Sequence, residues 1–299
     1  MAAVCQSPYA GEWYPADPVE LRNLLENKFE EAGKQGEDLE SCVDAAVLVP
    51  HASPFYSGRV AAAAYLRVAM RRPRRVLLVG FSHAGDHPGI AIPPFECYRT
   101  PLGDSAVDLQ AVDSLLSQPP FARGDVIDHS VEIQIPFLQF AMPEARVVPL
   151  FAGVMDEAGT AAAAVAVAGL MTNDTVLVAS SDLTHYGRAF GFTPFPLDEE
   201  TPRRIHDQDF ETLRVILALD LREYRRNLLR RPMSLCGHNS VSLLIETLRH
   251  YPMHLDGSIV DYQQSGEITG DFRQSVSYVA LAFAPRAEVR LRDVRIGEL

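Results

Sequence analysis

Lysine is nearly absent from this chain. Lys28 and Lys34 are the only two, and arginine supplies the rest of the 27 basic residues, against 39 acidic ones. The formal net charge is −12, a balance that argues against a nucleic-acid partner, which needs a clustered basic face. Two arginine clusters, Arg71 to Arg75 and Arg222 to Arg231, read as solvated helix ends. No apolar run approaches the roughly 20 residues that span a bilayer, so no membrane segment is expected. The opening MAAVCQSPYAGEWYP lacks a basic region followed by an apolar one, so no secretory signal is read and the cytoplasm is the expected location. Cysteine is scarce and irregularly spaced (Cys5, Cys42, Cys97, Cys236), with no CxxC pair. That argues against a disulfide framework and fits a reducing compartment. GxGxxG, Walker, HExxH and GxSxG motifs are also missing.

What the chain does have is three apolar, β-branched runs that each lead to a histidine. They are AAVLVPH (Ala45 to His51), VLLVGFSH (Val76 to His83) and VLVASSDLTH (Val176 to His185). Continuous apolar runs of this length read as buried parallel strands. Helical patterns alternate with them: Pro18 to Ala32, Gly58 to Met70, Asp104 to Gln118, Asp156 to Met171, Pro202 to Ala218, Asp220 to Arg230 and Gly237 to His250. Two late strands are expected at Ser258 to Gln263 and Val276 to Phe283, with a turn at Ser265 to Asp271 between them. The alternation gives an α/β class. With no Pro/Gly/Ser-rich linker, one domain over residues 1–299 is expected.

Ligands of open α/β sheets bind beyond the carboxyl ends of the strands. Three strand-end histidines therefore suggest a metal or acid/base site. Asp182 stands three residues before His185, close enough for a carboxylate to orient an imidazole. Cys236 precedes the Gly237 to His250 helix, where a helix N-terminus would lower its thiol pKa; a small buried hydrophobe is the plain alternative. Asp128, His129 and Glu132 fall at the start of a further helical segment. There Glu132 reads either as a carboxylate favoured by the helix dipole or, with His129, as a supporting or substrate-contacting group.

These segments, taken in order, resemble the Memo family, called AmmeMemoRadiSam system protein B in prokaryotes. The likeness runs through SPYAGEWYPADPVEL (Ser7 to Leu21), VPHASPFYSG, GFSHAGD, YRTPLGDSAVD, DHSVEIQIPFLQ, SSDLTHY, Cys236–Gly237 and DYQQSGEITGD. It covers nearly the whole chain, and the opening and tail look more like bacterial or archaeal members than animal ones. The resemblance implies a single three-layer α/β/α domain with a mostly parallel or mixed sheet, like the LigB-type extradiol dioxygenases. It implies a metal, iron or copper, held by His51, His83 and Cys236, the cysteine standing where those dioxygenases place a carboxylate. His185, with Asp182, would occupy the acid/base position, and His129, Glu132 and Tyr56 would contact substrate or support the site. Radical-SAM and AMMECR-type proteins are the partners it implies. The chain departs from the family at Ser53–Pro54–Phe55, Phe81, His238–Asn239–Ser240 and Tyr9, all expected at the pocket rim.

Three readings follow. In the first, a redox enzyme uses the metal with His185 moving protons. A thiolate is softer than a carboxylate and favours copper(I) or zinc over hard ions, which weakens the case for ordinary ring cleavage. In the second, the protein binds metal, copper above all, or a partner, without turnover. In the third, Cys236 is a nucleophile activated by a histidine, giving a metal-free hydrolase.

Overall fold

The computed structural model describes residues 3–34, 43–230 and 235–286; Cys42 and Arg231 lie outside the described residues. Its elements in chain order are β1 (Val4–Gln6), α1 (Pro18–Gly33), β2 (Ala46–Val49), α2 (Pro54–Ala69), β3 (Arg75–Gly80), β4 (Ile90–Ile92), β5 (Cys97–Thr100), β6 (Gly103–Ala106), α3 (Leu109–Leu116) and β7 (Phe121–Arg123). Then come α4 (His129–Glu132), α5 (Gln134–Ala141), β8 (Arg146–Ala152), α6 (Glu157–Ala168), β9 (Thr175–Ser180) and β10 (His185–Gly187). The chain continues through α7 (Thr201–Leu217), α8 (Leu221–Arg230), α9 (His238–Arg249), β11 (Leu255–Gln264), α10 (Ser265–Thr269) and β12 (Gln274–Pro285).

The main sheet runs β10-β12-β2-β9-β3-β8-β4-β7, with β11 also on β12. Its centre, β2, β9, β3 and β8, is parallel, and antiparallel strands flank it. The central strands are buried on both faces, which is why they read as unbroken apolar runs rather than alternating ones. Helices α1, α2 and α5 pack on one side, and α6, α8 and α9 on the other. The fold is therefore α/β with a mixed sheet between two helical layers. Among the described residues, no helix is long and apolar enough to cross a membrane.

Most elements follow the sequence periodicity within a few residues. In α1, Asp17 accepts the Val19 and Glu20 N–H groups, Pro18 opens the helix, and Leu21, Leu25 and Phe29 form the buried stripe. The expected helix from Asp104 is a correction. Gly103–Ala106 is a strand, paired antiparallel to β5 across a turn in which Gly103 takes a φ of +119°. The helix starts only at Leu109, where Asp108 caps it by accepting the Ala111 N–H. A local hairpin outcompetes helical propensity there. The expected turn at Ser265 to Asp271 holds a short helix, closed by a capping box between Gln264 and Glu267.

A candidate metal centre at the strand ends

Strands β2, β9 and β3 are neighbours, and their carboxyl ends point the same way. His51 follows β2 by two residues and His83 follows β3 by three, while Ser181 to His185 leaves β9. Adjacency in the sheet thus brings together residues far apart in sequence. Cys236 arrives from the opposite layer, just before α9. Gly237 lets it in: a Cβ there would stand 2.6 Å from the Ser180 carbonyl and from the Ser181 Cβ, and the Gly237 N–H bonds to Ser181 Oγ.

His51 is the hub. It is buried, and its Nδ1 meets Ser180 Oγ at 2.9 Å. Its Nε2 lies 3.2 Å from Cys236 Sγ. Burial first, then the neighbouring His83, holds the ring down to a pKa of about 3, so it is a neutral imidazole. His83 is fixed by Asp128, which accepts its backbone N–H at 2.7 Å and meets its Nδ1 at 2.9 Å. A carboxylate behind Nδ1 leaves Nε2 as the outward-facing nitrogen. Burial alone would raise the Asp128 carboxyl, yet the His83 ring and the His83 and Ser130 N–H groups bring it well below its ordinary value.

The Cys236 thiol is a correction to the sequence expectation. Its pKa is raised, not lowered: burial dominates and the Asp182 carboxylate adds to it, outweighing the bond from the Asp182 N–H. Asp182 serves the hub as well. Its Oδ1 accepts the His51 backbone N–H at 2.8 Å, bracing the hub, while its carboxyl is raised by burial and lowered by the nearby His185. His185 begins β10 rather than capping β9, and its Nδ1 lies 3.0 Å from the Leu183 carbonyl.

His129 comes closer to the centre than its sequence context signals. One ligand atom from each of His51, His83 and His129 lies within 4.8 Å of the others, and the same holds for His51, Asp182 and Cys236. The two sets differ in quality. A metal sits near the plane of each imidazole that binds it, about 2 Å from the nitrogen. The His83 and His129 rings are stacked, with centroids 4.0 Å apart and planes 20° apart, so one ion about 2 Å from a nitrogen of each cannot lie in both ring planes. His51 and His83, at 82°, suit convergence. His51 crosses His129 at 74° as well; the Asp128 bond to His83 Nδ1 is what favours His83, leaving His129 as a wall against it, with Trp13 over His129 at 4.3 Å. Burial first, then His51 and His83, lowers the His129 ring to about 4.

Glu132 is buried one turn beyond His129 and accepts a 2.7 Å bond from the Tyr14 hydroxyl. It anchors the N-terminal segment that carries Trp13. Tyr56 stands exposed on the first turn of α2. A cavity of about 260 Å³ opens beside the centre, lined by Phe81, His83, His87, Cys236, His238 and Asn239 among others. A larger groove of about 720 Å³, lined by Tyr186, Arg188, Phe195 and Arg273 among others, includes none of the candidate ligands.

Donor chemistry fits a metal ion. The neutral His51 ring, the Cys236 thiol and an Asp182 carboxyl oxygen lie within 4.8 Å of one another, and His51 shares the other set with His83, beside an open cavity. Thiolate and imidazole suit copper(I), zinc and iron better than magnesium or calcium.

Comparison with known proteins agrees with the resemblance read from the sequence. A MEMO1 family protein of Methanopyrus kandleri is 31% identical over 289 residues, covering 92% of this chain and 96% of the relative. One from Thermococcus kodakarensis is 30% identical over 287 residues, covering 92% and 97%. Among solved structures, the uncharacterized protein JW3007 from Escherichia coli K12 aligns with a TM-score of 0.47 at 15% identity, covering 79% of this chain and 98% of that one. A likeness that distant carries no argument about the site. The family model described as Memo-like protein matches residues 6–282, and the chain belongs to that family.

Proposed function

We propose that this protein binds one redox-active metal ion, copper or iron, through His51, His83 and Cys236, and that the site serves redox chemistry. The observation that carries this reading is the 3.2 Å approach of Cys236 Sγ to His51 Nε2 beside a His83 ring fixed by Asp128. When bound, such an ion supplies one-electron chemistry and Lewis acidity. The chain's own residues do the rest. His51 and His83 would offer ring nitrogens, Asp128 and Ser180 fix their orientation, and Cys236 would give up its proton on binding. His185, at the edge of the site, is the group that would take or deliver a substrate proton.

The thiolate makes ordinary catechol cleavage by a two-histidine, one-carboxylate iron a poor match. The metal-free hydrolase reading fares worse. A cysteine poised as the nucleophile of such an enzyme is typically a thiolate stabilised by a neighbouring imidazolium. Here burial disfavours both charged forms, leaving a thiol beside a neutral ring.

Elemental analysis after loading tests the proposal. Wild type is expected to hold one equivalent of copper or iron, and His51→Ala and Cys236→Ala to lose it. Variants that keep full stoichiometry would sink the assignment. Oxygen uptake by the loaded protein with catechols then separates enzyme from binder.

A further inference from the structure

The loop from Ser181 to His185 connects three parts of the candidate centre. Asp182 braces the His51 backbone, its N–H reaches Cys236 Sγ, and His185 follows it. Past Ser180 this loop has left the parallel ladder, so the Thr184 N–H needs a partner from elsewhere. That partner is the carboxylate of Asp209, on the buried face of α7, 25 positions away. Its Oδ1 accepts the Thr184 N–H at 3.2 Å and the Thr184 hydroxyl at 2.6 Å. Its Oδ2 accepts the Tyr262 hydroxyl from β11 at 2.7 Å, and Ser277 of β12 bonds to the same carboxylate.

All four donors are uncharged. A carboxylate that is only 2% exposed and is met by neutral donors is a costly way to fill a core position, and Leu or Met would be cheaper if packing were the only need. What the carboxylate offers is acceptor capacity on both oxygens: it ties the loop to α7 on one side and to β11 and β12 on the other. Ser277 also holds the loop through the backbone, accepting the Leu183 N–H and donating to the Thr184 carbonyl, so Asp209 and Ser277 both grip Thr184.

We propose that Asp209 is a positioning residue: it fixes the Ser181–His185 loop, and through it the places of Asp182 and His185 at the centre. This rests on the reading of that centre as a metal site. Asp209 reaches the centre only through Thr184 and the loop.

The test compares wild type, Asp209→Ala, Asp209→Asn and Asp44→Asn. Asp44 is also buried, but it pairs with Arg67 at the amino end of β2, away from the site. Three readouts are followed: cobalt(II) titration by its thiolate-to-cobalt absorption, thermal unfolding, and the ring resonances of His185. Asp209→Ala is expected to weaken cobalt binding by about tenfold or more and to shift the His185 resonances. Asp209→Asn, which keeps an acceptor for Thr184, is expected to recover most of both. Asp44→Asn is expected to lose stability while leaving cobalt affinity and His185 unchanged. If wild type binds no cobalt, the metal reading fails, and the His185 resonances still decide the role of Asp209. Should Asp209→Ala not fold, Thr184→Val, which deletes only the hydroxyl bond, takes its place. Unchanged His185 resonances in the folded variant, or equal changes in Asp44→Asn, overturn the proposal.

Discussion

Cys236 Sγ and His51 Nε2 lie 3.2 Å apart although 185 positions separate them in the chain. Both groups are neutral without a metal, because burial raises the thiol and lowers the imidazole. Metal binding must therefore displace the thiol proton. Zinc affinity is expected to rise about tenfold per pH unit through neutrality, with one proton released per ion. Calorimetry in buffers of different ionisation enthalpy counts that proton. Zero release would show that Cys236 is not a ligand. Bound zinc is also expected to protect Cys236 from alkylation.

Asp128 and His129 support His83 in different ways, and substitution separates them. Asp128→Asn weakens the grip on His83 Nδ1 and is expected to cost about 10- to 100-fold in metal affinity. His129→Phe keeps a flat ring stacked on His83 and is expected to bind metal nearly as wild type does, whereas His129→Ala is expected to bind more weakly. If His129→Phe loses the ion altogether, His129 is a ligand and the stacking argument fails.

Trp13 is the only tryptophan in the chain, and it reaches the centre through one intervening ring, His129. Its fluorescence is expected to fall when one equivalent of Cu²⁺ or Co²⁺ is added. Zn²⁺, which has no unpaired electrons, is expected to leave it largely unchanged. In Cys236→Ala the copper response should shift to higher metal concentration. An equal response from wild type and this variant would place the bound ion elsewhere.

Two histidines held neutral make stability depend on pH. His51 titrates at about 3 and His129 at about 4 in the folded chain, against about 6.5 when unfolded. The unfolded state therefore binds more protons below pH 6.5, and folding stability falls as pH drops from there towards 4. The slope is on the order of 1.4 kcal/mol per pH unit for each ring. In metal-free protein, His51→Gln is expected to be less stable at pH 7 but to show a shallower fall between pH 6.5 and 4. Parallel pH profiles for the two proteins would refute the assignment.

Much of this architecture was legible locally. The runs ending near His51, His83 and Ser180 are continuous and apolar because those strands are covered on both faces. Polar groups placed just past such strands face the sheet's carboxyl edge wherever the fold is α/β. The β5–β6 hairpin was missed because Gly103 to Ala106 carries no β-branched alternation, and pairing with β5 decides its state. His129 was expected only as a supporting or substrate-contacting group, and its own segment, an ordinary helix start, gives no sign of how near the ligands it lies. Only the approach of α4 to β3 sets that ring over His83.

The sequence by itself determined the α/β class, the strand-end positions of the histidines and the family resemblance, since each rests on local pattern or on the order of motifs. Tertiary structure decided the rest. It set Cys236 against His51, gave Asp182 to the His51 backbone, and turned the expected low-pKa thiol into a high one. Those outcomes depend on which strands are neighbours and on how far water is excluded from the space between them. Neither property belongs to any single segment of the chain.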